Sequence, residues 1–264
     1  MQTIISKFFI LLYLLFSSCE NKTTRDKEGL IVYQENQISW VRNFEPLNPV
    51  SIPRWPTRGG IYESLYLNNP ITTDWVPWLA TNYKWENNNK KLLFTIRPNV
   101  QWSDGKPFSA HDVAYTLNLW NQYPALDTRN AWEYLKSVVA VSDTLVQIDF
   151  KRIYVPGFEA IAGAPIIPKH IWKELEDPLD FSNPDPVGTG PFTEILRFNT
   201  QVWELGKNHN YWQKGKPYVE KLIFPTFSTN EQTTLALLSG KLDWAGAFIP
   251  AIQRIFVDKD PEHH

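Results

Sequence analysis

Two carboxylates, Asp104 and Asp112, and five histidines are the side chains that could carry acid–base or metal chemistry in this chain. Glycoside hydrolysis would require both carboxyls to face one sugar across roughly 5–9.5 Å. The local sequence gives each a different task. Asp104-Gly105 is a turn signal, because Gly accepts a positive φ and Asp can bond its own backbone. Ser109 and Asp112 form an S-x-x-D capping box, which predicts a helix starting at Ala110. His111, His170, His209, His263 and His264 show no metal-ligand spacing, since the adjacent pair is not set four apart on a helix. No Ser stands in a G-x-S-x-G elbow. Gly188-Thr189-Gly190-Pro191 departs from a dinucleotide fingerprint, because a proline follows the second Gly and a strand follows the run. These readings predict no enzyme, no metal and no cofactor.

The elements that would position these residues alternate between strand and helix signals. Leu30-Ile31-Val32-Tyr33 predicts a first strand, and the proline-rich stretch Phe44 to Pro56 predicts an extended loop. Ile61 to Tyr66 reads as a short helix. Leu92, Phe94 and Ile96 alternate with Leu93, Thr95 and Arg97, the period of a strand. The helix opened at Ala110 turns Val113, Leu117 and Trp120 inward and stops before Pro124. Leu145 to Phe150, Phe192 to Leu196 and Gln201 to Leu205 alternate again. Thr229 and Gln232 open a helix that stops at Gly240, and Lys241 to Ala245 predicts a last strand. Interleaved helices and hairpin-like strand pairs predict an α/β fold with a mixed sheet.

Net charge is −2, so no basic surface invites nucleic acid. Twelve Trp among 264 residues is a high count. Trp serves both cores and gripping surfaces. Trp55, inside Pro53-Arg54-Trp55-Pro56, has little local means of burial. Trp244 lies at the end of a predicted strand, before Ala247 and Phe248, where open α/β sheets bind ligands. At the N-terminus, Lys7 precedes the apolar run Phe8 to Phe16, which is too short for a spanning helix of roughly 20 residues. Ser17-Ser18-Cys19 resembles a bacterial lipobox, with Phe16 where Leu is usual. Cys19 is the only cysteine, so no internal disulfide can form. The expected organisation is therefore a signal peptide at 1–19 with Cys19 lipidated, followed by a polar tether at 20–29.

Trp102-Ser103-Asp104-Gly105-Lys106-Pro107-Phe108-Ser109-Ala110-His111-Asp112-Val113 and Pro186-Val187-Gly188-Thr189-Gly190-Pro191-Phe192 together resemble the extracellular solute-binding proteins of ABC importers. That family includes oligopeptide-, dipeptide-, nickel- and oligosaccharide-binding lipoproteins. Pro77 to Ala80, Phe94 to Arg97, Pro165 to Trp172, Asn208 to Trp212 and Leu238 to Asp243 extend the resemblance in the same order. It implies a periplasmic-binding-protein class II-like fold, here the first lobe only and in two subdomains. The main subdomain would be 30–66 with 183–264, and the smaller inserted one 67–182. Family members are often twice this length, so a truncated chain without the closing second lobe is expected.

The resemblance implies that Arg54, Trp55, Trp244, Ala247 and Phe248 are the candidate ligand-binding residues, on loops that line the cleft. It implies peptide capture for an ABC permease, with an oligosaccharide as the alternative ligand. A further alternative is a glycan-binding or scaffold lipoprotein that feeds no transporter. The expected product is a monomer held on the outer side of its membrane by a lipid anchor. Expression in a bacterium with labelled palmitate tests the anchor. The wild-type chain should carry label and sediment with membranes, whereas Cys19→Ser should do neither; an unlabelled wild-type chain would remove the lipobox reading.

Overall fold

The computed structural model describes residues 29–48, 57–246, 248–259 and 261. Cys19, the expected signal and the tether up to residue 28 lie outside these residues, as do Arg54, Trp55, Ala247, His263 and His264.

Alternation of apolar residues produces the sheets. Leu92, Phe94 and Ile96 of one strand are buried, as are Val146, Ile148 and Phe150 of its neighbour. Strands β4 (Ala80–Glu86), β5 (Lys91–Ile96), β6 (Leu135–Ser142) and β7 (Leu145–Phe150) form a four-stranded sheet in the order β4-β5-β7-β6. All its pairings are antiparallel. Helix α1 (Ala110–Gln122) packs on it, with Val113, Leu117 and Trp120 buried as their spacing predicts. Its capping box is formed: Asp112 accepts from the Ser109 backbone N–H at 2.9 Å. A short hairpin, β2 (Tyr66–Asn68) with β3 (Trp75–Pro77), leads into this sheet.

A five-stranded sheet takes its strands from both ends of the described chain, in the order β11-β1-β10-β9-β8. Here β1 is Gly29–Tyr33, β8 is Phe192–Phe198, β9 is Val202–Lys207, β10 is Lys221–Pro225 and β11 is Trp244–Ala245. β1 runs parallel to both β10 and β11, while β8, β9 and β10 pair antiparallel. The sheet is therefore mixed, as expected. Two short helices, α2 (Gly157–Ala162) and α3 (Lys169–Trp172), connect the sheets. Helices α4 (Asn230–Leu238) and α5 (Ile252–Ile255) follow them. Thr229 caps α4 by accepting from the Gln232 N–H at 3.3 Å.

The segment expected as a helix, Ile61 to Tyr66, is not one. Ile61, Tyr62, Glu63 and Leu65 are almost wholly buried, so the segment has core on every side. Its backbone bonds sideways instead. Gly190 N–H donates to the Ile61 carbonyl, Phe192 N–H to Gly60, Ile166 N–H to Glu63 and Trp78 N–H to Leu65. A helix would have used those carbonyls internally; here they join the two sheets.

The two diagnostic motifs meet at this seam. Gly105 adopts φ 83° in the turn after Trp102. Ser103 N–H donates to the Gly188 carbonyl at 2.9 Å. A Cβ at Gly188 would lie 2.0 Å from the Ile61 carbonyl oxygen, and one at Gly190 2.1 Å from that of Gly60. Backbone passes over backbone with no room for a methyl group. Asp112 is buried, accepting from Ser109 and Lys169 N–H groups, while Asp104 pairs with His170 at 2.8 Å. Each carboxylate thus has a separate structural partner.

Because backbone rather than a flexible side chain blocks those positions, Gly188→Ala and Gly190→Ala should each destabilise the chain by about 3 kcal/mol or more. Urea denaturation followed by Trp fluorescence measures this; a loss below about 0.5 kcal/mol would show that the crossing can relax.

Candidate ligand-binding face

Two arginines distant in sequence, Arg58 and Arg129, line the same concavity. Its open volume is about 610 Å³, and its walls include Tyr62, Ser64, Tyr66, Trp75, Gly163 and Pro165. An adjoining concavity of about 450 Å³ shares both arginines and adds Leu47, Trp120, Leu126 and Asp127.

Each guanidinium is positioned by backbone carbonyls. Arg58 Nε donates to the Pro46 carbonyl at 2.7 Å. Arg129 Nη1 donates to the Glu159 carbonyl at 3.1 Å, at the end of α2. The turn that carries Arg129 is built by Asp127, whose two carboxylate oxygens accept from Ala131 and Trp132 N–H groups, both at 2.8 Å. Asn130 takes a left-handed conformation, φ 51°, a geometry that Asn tolerates better than most residues.

The electrostatics favour an anion. Arg58 is exposed, yet protein atoms around its guanidinium pull its pKa below the ordinary value. The Glu45 carboxylate opposes that shift, and the Arg129 charge adds to it. Glu45 is buried and accepts from the N–H groups of Leu47 and Asn48. Burial raises its pKa, against those hydrogen bonds and the Arg58 charge. The buried carboxylate therefore faces Arg58, while the Arg129 charge repels that same guanidinium. An incoming anionic group would relieve their mutual repulsion and could take charge-assisted hydrogen bonds from both.

A separate candidate surface is the carboxyl end of β1 and β11. Val32 pairs with Trp244 and Tyr33 with Ala245. Gly246 N–H donates to the Tyr33 carbonyl at 2.9 Å. The Trp244 ring lies over Gly246, where a Cβ would come within 2.9 Å of it. Trp244 remains 49 % exposed and Phe248 80 % exposed. Both are thus at the surface, off the end of parallel strands. Ala247, Arg54 and Trp55 lie outside the described residues.

Sequence reading missed Arg58 and Arg129 because their proximity is a product of the tertiary fold. The available signal was Asp127, a capping residue that fixes a conspicuous Arg-Asn pair in a loop. The other ten Trp residues sit in or against the core: Trp40, Trp102, Trp120, Trp172 and Trp203 are buried, and Trp75, Trp78, Trp85, Trp132 and Trp212 pack against it partly buried. Among the described residues, no helix is long and apolar enough to cross a membrane. No group of three His, Cys, Asp or Glu side chains gathers among them.

Comparison with known proteins gives a consistent pattern. The family model described as bacterial extracellular solute-binding proteins, family 5 Middle, matches residues 74–263. The chain is 28% identical over 224 residues to the nickel-binding periplasmic protein of Escherichia coli (strain K12), covering 79% of this chain and 40% of that protein. It is 26% identical over 189 residues to the oligopeptide-binding protein OppA of Bacillus subtilis (strain 168), covering 64% of this chain and 34% of that protein. A mannohexaose-bound periplasmic oligopeptide-binding protein from Thermotoga maritima superposes with TM-score 0.80 at 27% identity, over 90% of this chain and 44% of that one. The chain spans less than half the length of each of these proteins. The family model covers both sheets apart from β1 and reaches through Trp244 and Phe248; this chain belongs to the bacterial extracellular solute-binding proteins, family 5.

Proposed function

We propose that this chain forms the first lobe of a lipid-anchored substrate-binding protein of an ABC-type importer, and that its solutes are peptides. The observation that carries the peptide reading is the pairing of Arg58 and Arg129 on one concavity. A peptide brings a carboxylate that can bond both guanidiniums, whereas a neutral oligosaccharide brings none. In this reading Arg54, Trp55, Trp244, Ala247 and Phe248 also contact the solute. The main subdomain is 30–66 with 183–264, and 67–182 forms the insert. Cys19 carries the lipid and keeps the domain at the outer side of the membrane, next to its permease.

The oligosaccharide reading keeps one specific support. The Thermotoga maritima protein was solved with mannohexaose, and the half-exposed Trp244 ring offers a face on which a sugar could stack. A non-transport glycan-binding or scaffold lipoprotein would use the same ring. In each reading a second lobe closes over the ligand, so the first lobe alone binds weakly.

Amide-resolved NMR titration of the chain separates these outcomes. A short peptide with a free C-terminus should shift the signals of Arg129 and Gly163, with a dissociation constant weaker than about 0.1 mM, since only half the contacts form. Amidating the peptide, or replacing Arg129→Ala, should weaken binding about tenfold to a hundredfold, the loss of one charge-assisted hydrogen bond. Shifts confined to Trp244 and produced by mannose or glucose oligomers alone would overturn the peptide assignment in favour of a glycan. Micromolar binding of any solute to the isolated chain would overturn the need for a second lobe.

A further inference from the structure

Glu63 sits at the seam between the two sheets, only 1% exposed, and its carboxyl accepts hydrogen bonds from both sides. Trp78 Nε1, just before β4, donates at 2.6 Å. The Tyr211 hydroxyl and Trp212 Nε1, in the turn after β9, donate at 3.0 Å each. A fourth polar group, the buried Thr189 hydroxyl, lies close enough to act on this carboxyl and makes no hydrogen bond within normal range.

Among the described residues, no cation pairs with Glu63 directly. Arg97, after β5, donates through Nε to the Trp78 carbonyl at 2.7 Å and lies 4.4 Å from the Trp212 ring centroid. It braces the donors rather than the carboxylate. The other titratable groups on the surrounding elements are the buried Tyr62 beside it and, in the turn after β9, Tyr211 itself with His209, Lys214, Lys216 and Tyr218, of which His209, Lys214 and Tyr218 are exposed. The loop bearing Thr189 and the Pro165–Ile166 segment contribute none. Tyr211 is held neutral: burial first, then the Glu63 charge, raises its pKa.

We propose that Glu63 is a proton-binding fastener between the two sheets, tighter when its carboxyl is protonated and looser when it is ionised. An ionised Glu63 makes its hydrogen bonds but holds a buried charge without a counter-ion. A protonated one carries no such cost, and its hydroxyl can be directed at Thr189. The two effects compete. Donors alone would push the pKa below the ordinary carboxylate range, but burial wins and raises it from 4.5 to about 7.

The closed seam therefore binds a proton more strongly than an open, hydrated one. That stabilisation is complete below the ordinary Glu value and is lost as pH rises through about 7. The seam also connects to the arginine concavity. Ser64, the next residue, bridges Pro165, and both line that concavity. Its walls should thus be firmer in mildly acidic surroundings than in alkaline ones, whichever solute it takes.

Two measurements on the full chain test this. Carbon-detected NMR should show the Glu63 carboxyl titrating about two units above ordinary Glu residues. Hydrogen exchange, corrected for the intrinsic pH dependence, should show protection at the Trp78, Ile166 and Gly190 amides falling on the order of a hundredfold between pH 5 and pH 8.5. Protection at the centre of the β9–β10 pair should change far less. Glu63→Gln, neutral at every pH, should flatten the seam response. A Glu63 carboxyl that titrates below pH 5, seam protection that does not change, or an equal response in a folded Glu63→Gln chain would each overturn the proposal. If Glu63→Gln does not fold, the two wild-type measurements decide.

Discussion

The closest constraint in this fold is a crossing of two backbones. Gly188 and Gly190 pass over Gly60 and Ile61 at a separation that excludes even a Cβ. That approach lets Gly190 and Phe192 donate to the Ile61 and Gly60 carbonyls, and it sets where β8 begins. The same buried segment then serves the other sheet, through the Glu63 carbonyl to Ile166 and the Leu65 carbonyl to Trp78. A segment buried on all sides cannot turn to water for its polar groups, so every carbonyl must find a protein partner. Here the partners come from both sheets. Removing the close approach would strand several of them together, which is why one methyl group should have a large effect.

That arrangement explains which parts of the fold could be read from the residues. Strands with one buried face leave a period-two trace, so β5, β7, β8 and β9 could be anticipated, as could α1 with its Ser109–Asp112 cap. The Ile61–Leu65 segment leaves no such trace. A run buried on all sides, here holding Glu63 and Ser64 as well as Ile61 and Leu65, shows no period, and a short helix and an irregular buried segment then look alike. Its backbone geometry is decided by Gly188 and Gly190, more than a hundred residues along the chain. The glycine motif was visible in the sequence, but the identity of the strand it crosses was not. Likewise the two motifs that announce the family touch each other, Ser103 against Gly188, a contact invisible to any local rule.

The candidate ligand-binding residues divide in the same way. Trp244 and Phe248 were accessible to sequence reasoning because a strand end is a local feature, and both are exposed there. Arg58 and Arg129 were not, because only the tertiary fold brings their loops to one concavity. Burial explains why so few of the Trp residues remained as candidates. Trp102, Trp172 and Trp203 are almost completely enclosed, and Trp203 stacks on Phe224 with ring centroids 4.2 Å apart. An aromatic-rich composition in this chain mainly reports a large core.

The energetics of the arginine concavity argue for a second surface. A charge-assisted hydrogen bond contributes about 1.5–3 kcal/mol, so two guanidiniums could supply about 3–6 kcal/mol to a carboxylate. Association itself costs an estimated 4–15 kcal/mol in lost translational and rotational freedom. Exposure weakens the favourable side further, since water competes for Arg58 and Arg129 and salt screens them. A single open lobe thus barely offsets the cost of association. Covering the same contacts with protein would exclude water and strengthen both ion pairs. In the proposed reading, Arg58 and Arg129 orient the solute and closure supplies the affinity.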